Sequence, residues 1–300
     1  MNIKSLVRLF VISLALIYLV ACTSTTQPGT MGAERKQFMI LSQNQFHQQA
    51  TQDYTMLIGE VKAKGKLKSS PQVTRVTQRL INETPIYRND VKSWNWYANV
   101  IESDSINAFA MPGGKIGVYS GLLNKLKPTD DELAAVIGHE IAHALREHSR
   151  EKASKAAAGK LTTHLVTSSA GLGEYGNIAV QLAERYAWNL PNSRSAETEA
   201  DLIGLELMAR AGYNPNAAIT FWEKMAKANK SSNLAFMSTH PTHAGRIEKI
   251  KETIPKVMPY YIEAKGKKRL IEHHREQQTL KAYQSMGMPL FYAIDGSTAL

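Results

Sequence analysis

Five residues, His139-Glu140-Ile141-Ala142-His143, constrain this chain more than any other stretch. Residues four apart share one face of a helix, so a helix through this segment offers both imidazoles to a single point in space. Thr129-Asp-Asp-Glu132 just upstream is a capping-box pattern, which predicts a helix starting near Thr129 and running through the motif towards Glu147. Leu133, Val136, Ile137, Ile141, Ala144 and Leu145 form an apolar stripe at helical spacing, flanked by the two histidines. The helix is therefore expected to be buried. Two imidazoles and a carboxylate are costly to bury without a common partner, and a metal ion is the partner they share. Zn2+ suits this set: His139 and His143 bind it, and Glu140 on the neighbouring arc takes a proton from a water that the ion has made acidic.

Two histidines leave such a site one protein ligand short. Ser193-Arg-Ser-Ala-Glu197-Thr-Glu-Ala-Asp201 supplies a carboxylate, Glu197, near the start of a helix that Ser193 or Ser195 can cap and that ends at Ala211-Gly212. Asp201 lies one turn further on and faces the same way. It is placed to accept a hydrogen bond from the outward ring nitrogen of His139 or His143, fixing the tautomer that binds metal. Glu199 and Glu206 of the same helix read as a solvated face. His148 and His164 complete no ligand pattern and read as ordinary surface or core histidines.

In these residues the chain resembles peptidase family M48, the zinc metallopeptidases, and within it a bacterial periplasmic branch similar to mitochondrial inner-membrane proteases. The resemblance rests on Asn107-Ala-Phe-Ala-Met-Pro-Gly-Gly114 running on to Gly121-Leu-Leu, on His139 to His143, on Ser193 to Asp201, and on Ser238-Thr-His240-Pro-Thr-His-Ala-Gly-Arg246-Ile. It implies one Zn2+ per chain held by His139, His143 and Glu197, with Glu140 as the base and Asp201 supporting a ligand from behind. It also implies that His240 and Arg246 lie by the cleft. For His240 two roles stay open, stabilising an oxyanion or occluding the metal until substrate arrives; for Arg246 the plain alternative is a structural ion pair.

The amino terminus bears on location. Lys4 and Arg8 precede an apolar stretch from Leu9 to Ala21, too short to span a bilayer comfortably, so residues 1–21 read as a signal peptide. Leu19-Val-Ala-Cys22 resembles the lipobox of bacterial lipoproteins, and Cys22 is the single cysteine of the chain. Lipidation of Cys22 explains it better than packing, and no disulfide is left to form. Thr23 follows, where the resemblance favours an outer-membrane anchor facing the periplasm. Acyl chains there make a stable attachment, at about 0.8 kcal/mol for each buried methylene.

Length supports one sizeable catalytic domain. The expected class is α+β, a mostly helical, gluzincin-like metallopeptidase domain over residues 36–262 with a small mixed β-sheet, preceded by a lipidated tether at 22–35 and followed by a basic helical tail at 263–300. Residues 36–60 read as helical, and Ser70-Pro71 opens a second helix. Trp94, Trp96, Ala98 and Val100 alternate as in a strand, and Pro112-Gly113-Gly114 breaks the next apolar run, with 107–118 as an edge able to pair with an extended substrate. The Gly pair is equally read as a tight turn. Between the metal motifs, two helices broken around Gly171 to Gly176 are expected, and Asn214-Pro215 opens another. The net charge of +10 is spread out; Lys62, Lys64, Lys66 and Lys68, and Lys265, Lys267, Lys268 and Arg269, read as solvated faces. Neither cluster is interleaved with aromatics, which argues against nucleic acid. The expected function is an endopeptidase acting on misfolded or misassembled envelope proteins, attached to the membrane by its lipid and working near outer-membrane assembly machinery. The rival reading is a periplasmic chaperone or assembly factor that binds through the same cleft with little proteolysis.

Overall fold

A capping box sets the frame of the molecule. The computed structural model describes residues 22–27, 31–32, 34–168, 191–231, 235–241 and 245–285. In it the Thr129 hydroxyl accepts from the Glu132 amide at 3.2 Å while the Glu132 carboxylate accepts from the Thr129 amide at 2.9 Å, and helix α4 (Asp130–Leu145) starts there as the spacing predicts. Every residue from Glu132 to Leu145 is buried. A helix apolar on one stripe would keep a wet face; α4 does not, because other elements enclose it on all sides. These are α2 (Pro71–Asn82), α6 (Arg194–Arg210), α7 (Ala217–Ser231) and strand β5 (Ala108–Met111).

The sheet that supports α4 is small and mixed. Its order is β3 (Leu67–Lys68), β4 (Tyr97–Ile101), β6 (Lys115–Tyr119), β5, with β4 and β6 parallel and the outer pairings antiparallel. β5 is thus an edge, as the sequence suggests for this stretch. Gly113 and Gly114, at φ of 73° and 82°, make the turn into β6. A Cβ on Gly114 would stand 2.6 Å from the Trp96 ring. That ring explains a difference from the sequence reading: Trp94 and Trp96 precede the strand and are not part of it. Asn89–Ser93 forms a 3₁₀ turn, the Trp96 indole donates back to the Val91 carbonyl at 3.1 Å, and pairing begins only at Tyr97 opposite Lys115.

Helix α1 (Gln43–Ala63) starts seven residues later than its composition suggests. Ser42 caps it, and Gln37–Phe38 forms β2, paired with β1 (Cys22–Thr23). Much of the stretch read as a tether is therefore docked on the domain, with Ser24 and Thr26 accepting from Arg146 at 3.2 and 3.0 Å. α2 starts at Ser70-Pro71 as expected, capped by Ser70, and buries Val73, Val76 and Leu80. α3 (Ser120–Leu126) follows β6, α5 (His148–Ser168) follows α4, and α7 buries Phe221, Trp222 and Met225. The break around Gly171 to Gly176, the His164 side chain and the stretch after Ser285 lie outside the described residues. The last helices are α8 (Ala235–Thr239) and α9 (Arg246–Ser285). Ile250, Ile254 and Val257 of α9 are buried, whereas Ile262, Leu270 and Ile271 are exposed.

Candidate active site

Helices α4 and α6 cross almost backbone to backbone. A Cβ on Gly204 would lie 2.8 Å from the His139 amide nitrogen, and one on Gly138 would lie 3.0 Å from the Gly204 carbonyl oxygen. Ser193, accepting from the Ala196 amide at 3.2 Å, starts α6 so that Glu197 faces α4 about two turns before that crossing. Nε2 of His139 and Nε2 of His143 stand 3.1 Å apart. Glu197 Oε2 is 3.4 Å from the first and Oε1 is 3.2 Å from the second. The sequence-predicted ligands are thus brought together.

His240, at the end of α8, enters the same cluster. Its Nδ1 lies 3.3 Å from His139 Nε2 and 3.0 Å from Glu197 Oε1, and its ring stacks on Phe236 with centroids 4.2 Å apart. Ligand atoms from His139, His143, Glu197 and His240 all fall within 4.8 Å of one another, and all four residues are buried. Zinc–nitrogen bonds of about 2.0–2.1 Å give a tetrahedron with edges of about 3.3 Å. The observed separations match such edges. Glu197 Oε2 and Glu140 Oε1 are buried with no hydrogen-bond partner, so the cluster has acceptor capacity that a cation would satisfy. Burial works against the Glu197 carboxylate, yet the His139 charge and the ring nitrogens of His139, His143 and His240 gathered around it hold it far below the usual carboxylate range. His139 itself, depressed by burial but faced by Glu197 and Asp201, is raised to about 9, while burial drives His143 well below its ordinary value. The residues present fit one Zn2+.

Asp201 lies behind the first of these histidines, its Oδ1 2.9 Å from His139 Nδ1. Arg246 donates to the same oxygen at 2.7 Å, and its guanidinium lies over the Trp222 ring at 3.7 Å. Arg246 therefore meets the site through ion pairs with Asp201 and, at 3.4 Å, with Glu197 Oε2. Glu140 lies beside the cluster with Oε1 3.4 Å from His240 Nε2. Its carboxyl is pushed up by burial, opposed by the charges of His240 and His139 and by a hydrogen bond from the Ala110 backbone of β5. A cleft of about 620 Å3 opens here, lined by Met56 and Leu57 of α1, Phe109 and Met111 of β5, and Glu140 and His143.

One expectation fails. Glu199 and Glu206 are buried, at 6% and 2% exposure, rather than solvated. Glu199 accepts from Arg35 at 2.7 Å and is paired with Arg146, while Glu206 accepts from Arg210 at 2.7 Å and from the Met31 amide at 2.9 Å. Their partners are mostly remote in sequence, and the docked N-terminal segment covers the face that would otherwise be wet. The sequence reading also passed over Asn192, which donates to Glu197 at 2.8 Å, and over the contact of His148 with His143.

Residues 68–254 match Peptidase family M48. The mitochondrial metalloendopeptidase OMA1 of Schizosaccharomyces pombe is 42% identical over 185 residues, covering 61% of this chain and 52% of that protein. Metalloprotease LoiP of Escherichia coli is 30% identical over 186 residues, covering 61% of this chain and 72% of its own. The beta-barrel assembly-enhancing protease of Yersinia pestis is 26% identical over 213 residues, covering 68% and 43%. The chain thus spans about half the length of the first of these relatives. The matched stretch, from Lys68 to Ile254, encloses both metal motifs, His240 and Arg246, and the chain belongs to peptidase family M48.

Proposed function

We propose that this chain is a lipid-anchored, zinc-dependent endopeptidase that hydrolyses peptide bonds of misfolded or misassembled cell-envelope proteins. The observation that carries the reading is the buried cluster of His139, His143, Glu197 and His240 with a further carboxylate, Glu140, beside it on the cleft. His139, His143 and Glu197 are the resident ligands. Bound there, zinc supplies Lewis acidity towards a water and towards the scissile carbonyl. Glu140 takes the proton of the attacking water and returns it to the leaving amine, a task for which a carboxyl raised by burial is suited. Asp201, held by Arg246, keeps the His139 ring in the tautomer that points Nε2 at the metal.

β5, the end strand of the sheet, lines the cleft and offers an edge along which an extended backbone can pair, which favours unfolded segments over folded ones. His240 acts on this reading as an occluding residue, since its Nδ1, 3.3 Å from His139 Nε2 and 3.0 Å from Glu197 Oε1, stands where a substrate would have to approach a bound ion. Residues 1–21 act as the signal peptide, Cys22 as the lipidated residue, 22–35 as the attachment, 36–262 as the catalytic domain and 263–300 as a tail. The relative named for β-barrel assembly supports a place in the cell envelope, and on this reading the chain faces the periplasm from the outer membrane.

The rival reading, a holding or assembly factor, makes no use of Glu140. Cleavage of casein by the purified chain, with zinc quantified in the same sample, decides between them. The peptidase reading expects cleavage that is lost in Glu140→Gln and on chelation. Zinc near one per chain with casein left intact, even after prolonged incubation, favours the holding factor.

A further inference from the structure

Behind the metal ligand His143 a line of buried hydrogen bonds runs to the N-terminal segment. Nδ1 of His143 lies 2.7 Å from Nδ1 of His148, the first residue of α5. Nε2 of His148 lies 2.9 Å from Glu199 Oε2. Glu199 in turn accepts from Arg35 Nε at 2.7 Å and from Arg146 Nε at 3.2 Å. His148 is 1% exposed and Arg146 is fully buried.

The direction of every bond in this line follows from its far end. An ionised carboxylate only accepts, so His148 must carry its hydrogen on Nε2. A neutral His148 then has a bare Nδ1, which accepts from His143. His143 therefore carries its hydrogen on Nδ1, and its lone pair sits on Nε2, facing His139 and Glu197. The reverse arrangement would set a bare His148 nitrogen against the Glu199 carboxylate and place a hydrogen on the very atom that faces the ligand cluster. Arg35 and Arg146 hold the carboxylate ionised and oriented, so the order is imposed from outside the metal site.

We propose that His148 is a positioning residue of the metal centre: oriented by Glu199, which Arg35 and Arg146 hold in turn, it locks His143 in the tautomer that binds zinc. The inference rests on the zinc reading above and adds a second orienting line to the one from Asp201 to His139. It assigns a function to a histidine and a glutamate that lie outside the ligand set.

The test is zinc affinity, measured by competition with a chromogenic chelator, together with the visible spectrum of the cobalt-substituted protein, on the full chain in detergent. His148→Asn keeps an acceptor where Nδ1 stands and should bind zinc within about threefold of the parent. His148→Gln reaches Glu199 but offers nothing at the Nδ1 position, and His148→Leu offers neither group. Both should weaken zinc by about 10–100-fold and alter the cobalt spectrum. Gln also fills the space, so it reports on the hydrogen bond even where Leu fails to fold. Equal affinities for Asn and Gln, or parental affinity in both, would overturn the proposal. A parent chain that binds neither metal overturns the zinc reading itself and this inference with it, an outcome separate from any difference among the variants.

Discussion

His240 Nδ1 stands 3.3 Å from His139 Nε2, about as far as the two motif histidines stand from each other, at 3.1 Å. A residue a hundred positions downstream thus occupies ligand distance in the resting site. Stacking on Phe236 and its contact with Glu197 hold it there. His240→Ala should raise kcat/KM on casein about threefold or more, by removing a competitor that keeps part of the population closed. An oxyanion role predicts the opposite, a loss of about 10²–10³-fold in kcat. Steady-state rates on an unfolded substrate separate the two.

The contact of α4 with α6 at Gly138 and Gly204 sets the distance between the histidines and Glu197. Replacing a helical glycine with alanine ordinarily gains about 1 kcal/mol of helix propensity. At Gly204 the new methyl would meet the His139 backbone at 2.8 Å, and backbone cannot swing away as a flexible side-chain end can. Gly204→Ala should therefore destabilise by about 1–3 kcal/mol and weaken zinc binding, because the helices must part. Urea unfolding together with chelator competition would show it. A variant as stable as the parent would mean that the helices part freely.

Much of this site is legible in the sequence because its chemistry is local. Thr129 and Glu132 cap one helix, His139 and His143 share its face, and Ser193 places Glu197 and Asp201 one turn apart, all by spacing alone. What escapes is set by packing. Glu199 looks solvated because nothing within its helix reveals that Arg35, more than 160 residues earlier, closes over it. Likewise Trp94 and Trp96 alternate like strand residues, yet they follow the 3₁₀ turn at Asn89–Ser93 and pairing starts only at Tyr97. A run of charged residues on a helix with no polar stripe left to solvate it is the signal that points to such buried networks.

Arg35 ties two buried carboxylates, Glu151 at 2.6 Å and Glu199 at 2.7 Å. Burial pushes Glu199 up, but hydrogen bonds from His148 and Arg35 and the Arg146 charge bring it down to about 2. Glu151, similarly buried, is brought to about 2 by Arg35, Lys155 and Gln37. Both folded-state values lie below the ordinary 4.5, so their contribution to stability is full above about pH 4.5 and is lost as pH falls towards 2. Arg35→Ala should cost about 2–3 kcal/mol at pH 7, less than a fully buried pair because Arg35 is 28% exposed. Its deficit against the parent should shrink at pH 3. Urea unfolding at the two pH values measures this, and a deficit independent of pH would show that Arg35 acts through packing and not through its charge.

Zinc itself should hold α4 to α6. The unfolded chain has no preformed site, so an ion that binds only the folded state stabilises it by about 4 kcal/mol at a thousandfold excess over its dissociation constant. For a domain of this size that is a shift of about 8–16 °C in Tm. Chelation should lower the melting temperature by that order, and added zinc should restore it. Glu140→Gln should keep the whole shift, since Glu140 is not among the residues whose atoms converge on the metal position. His143→Ala should abolish it, with the melting curve of the variant unchanged by chelator. If Glu140→Gln also lost the shift, Glu140 would be a ligand and the base would have to be sought elsewhere in the cleft, where His240 stands 3.4 Å from Glu140.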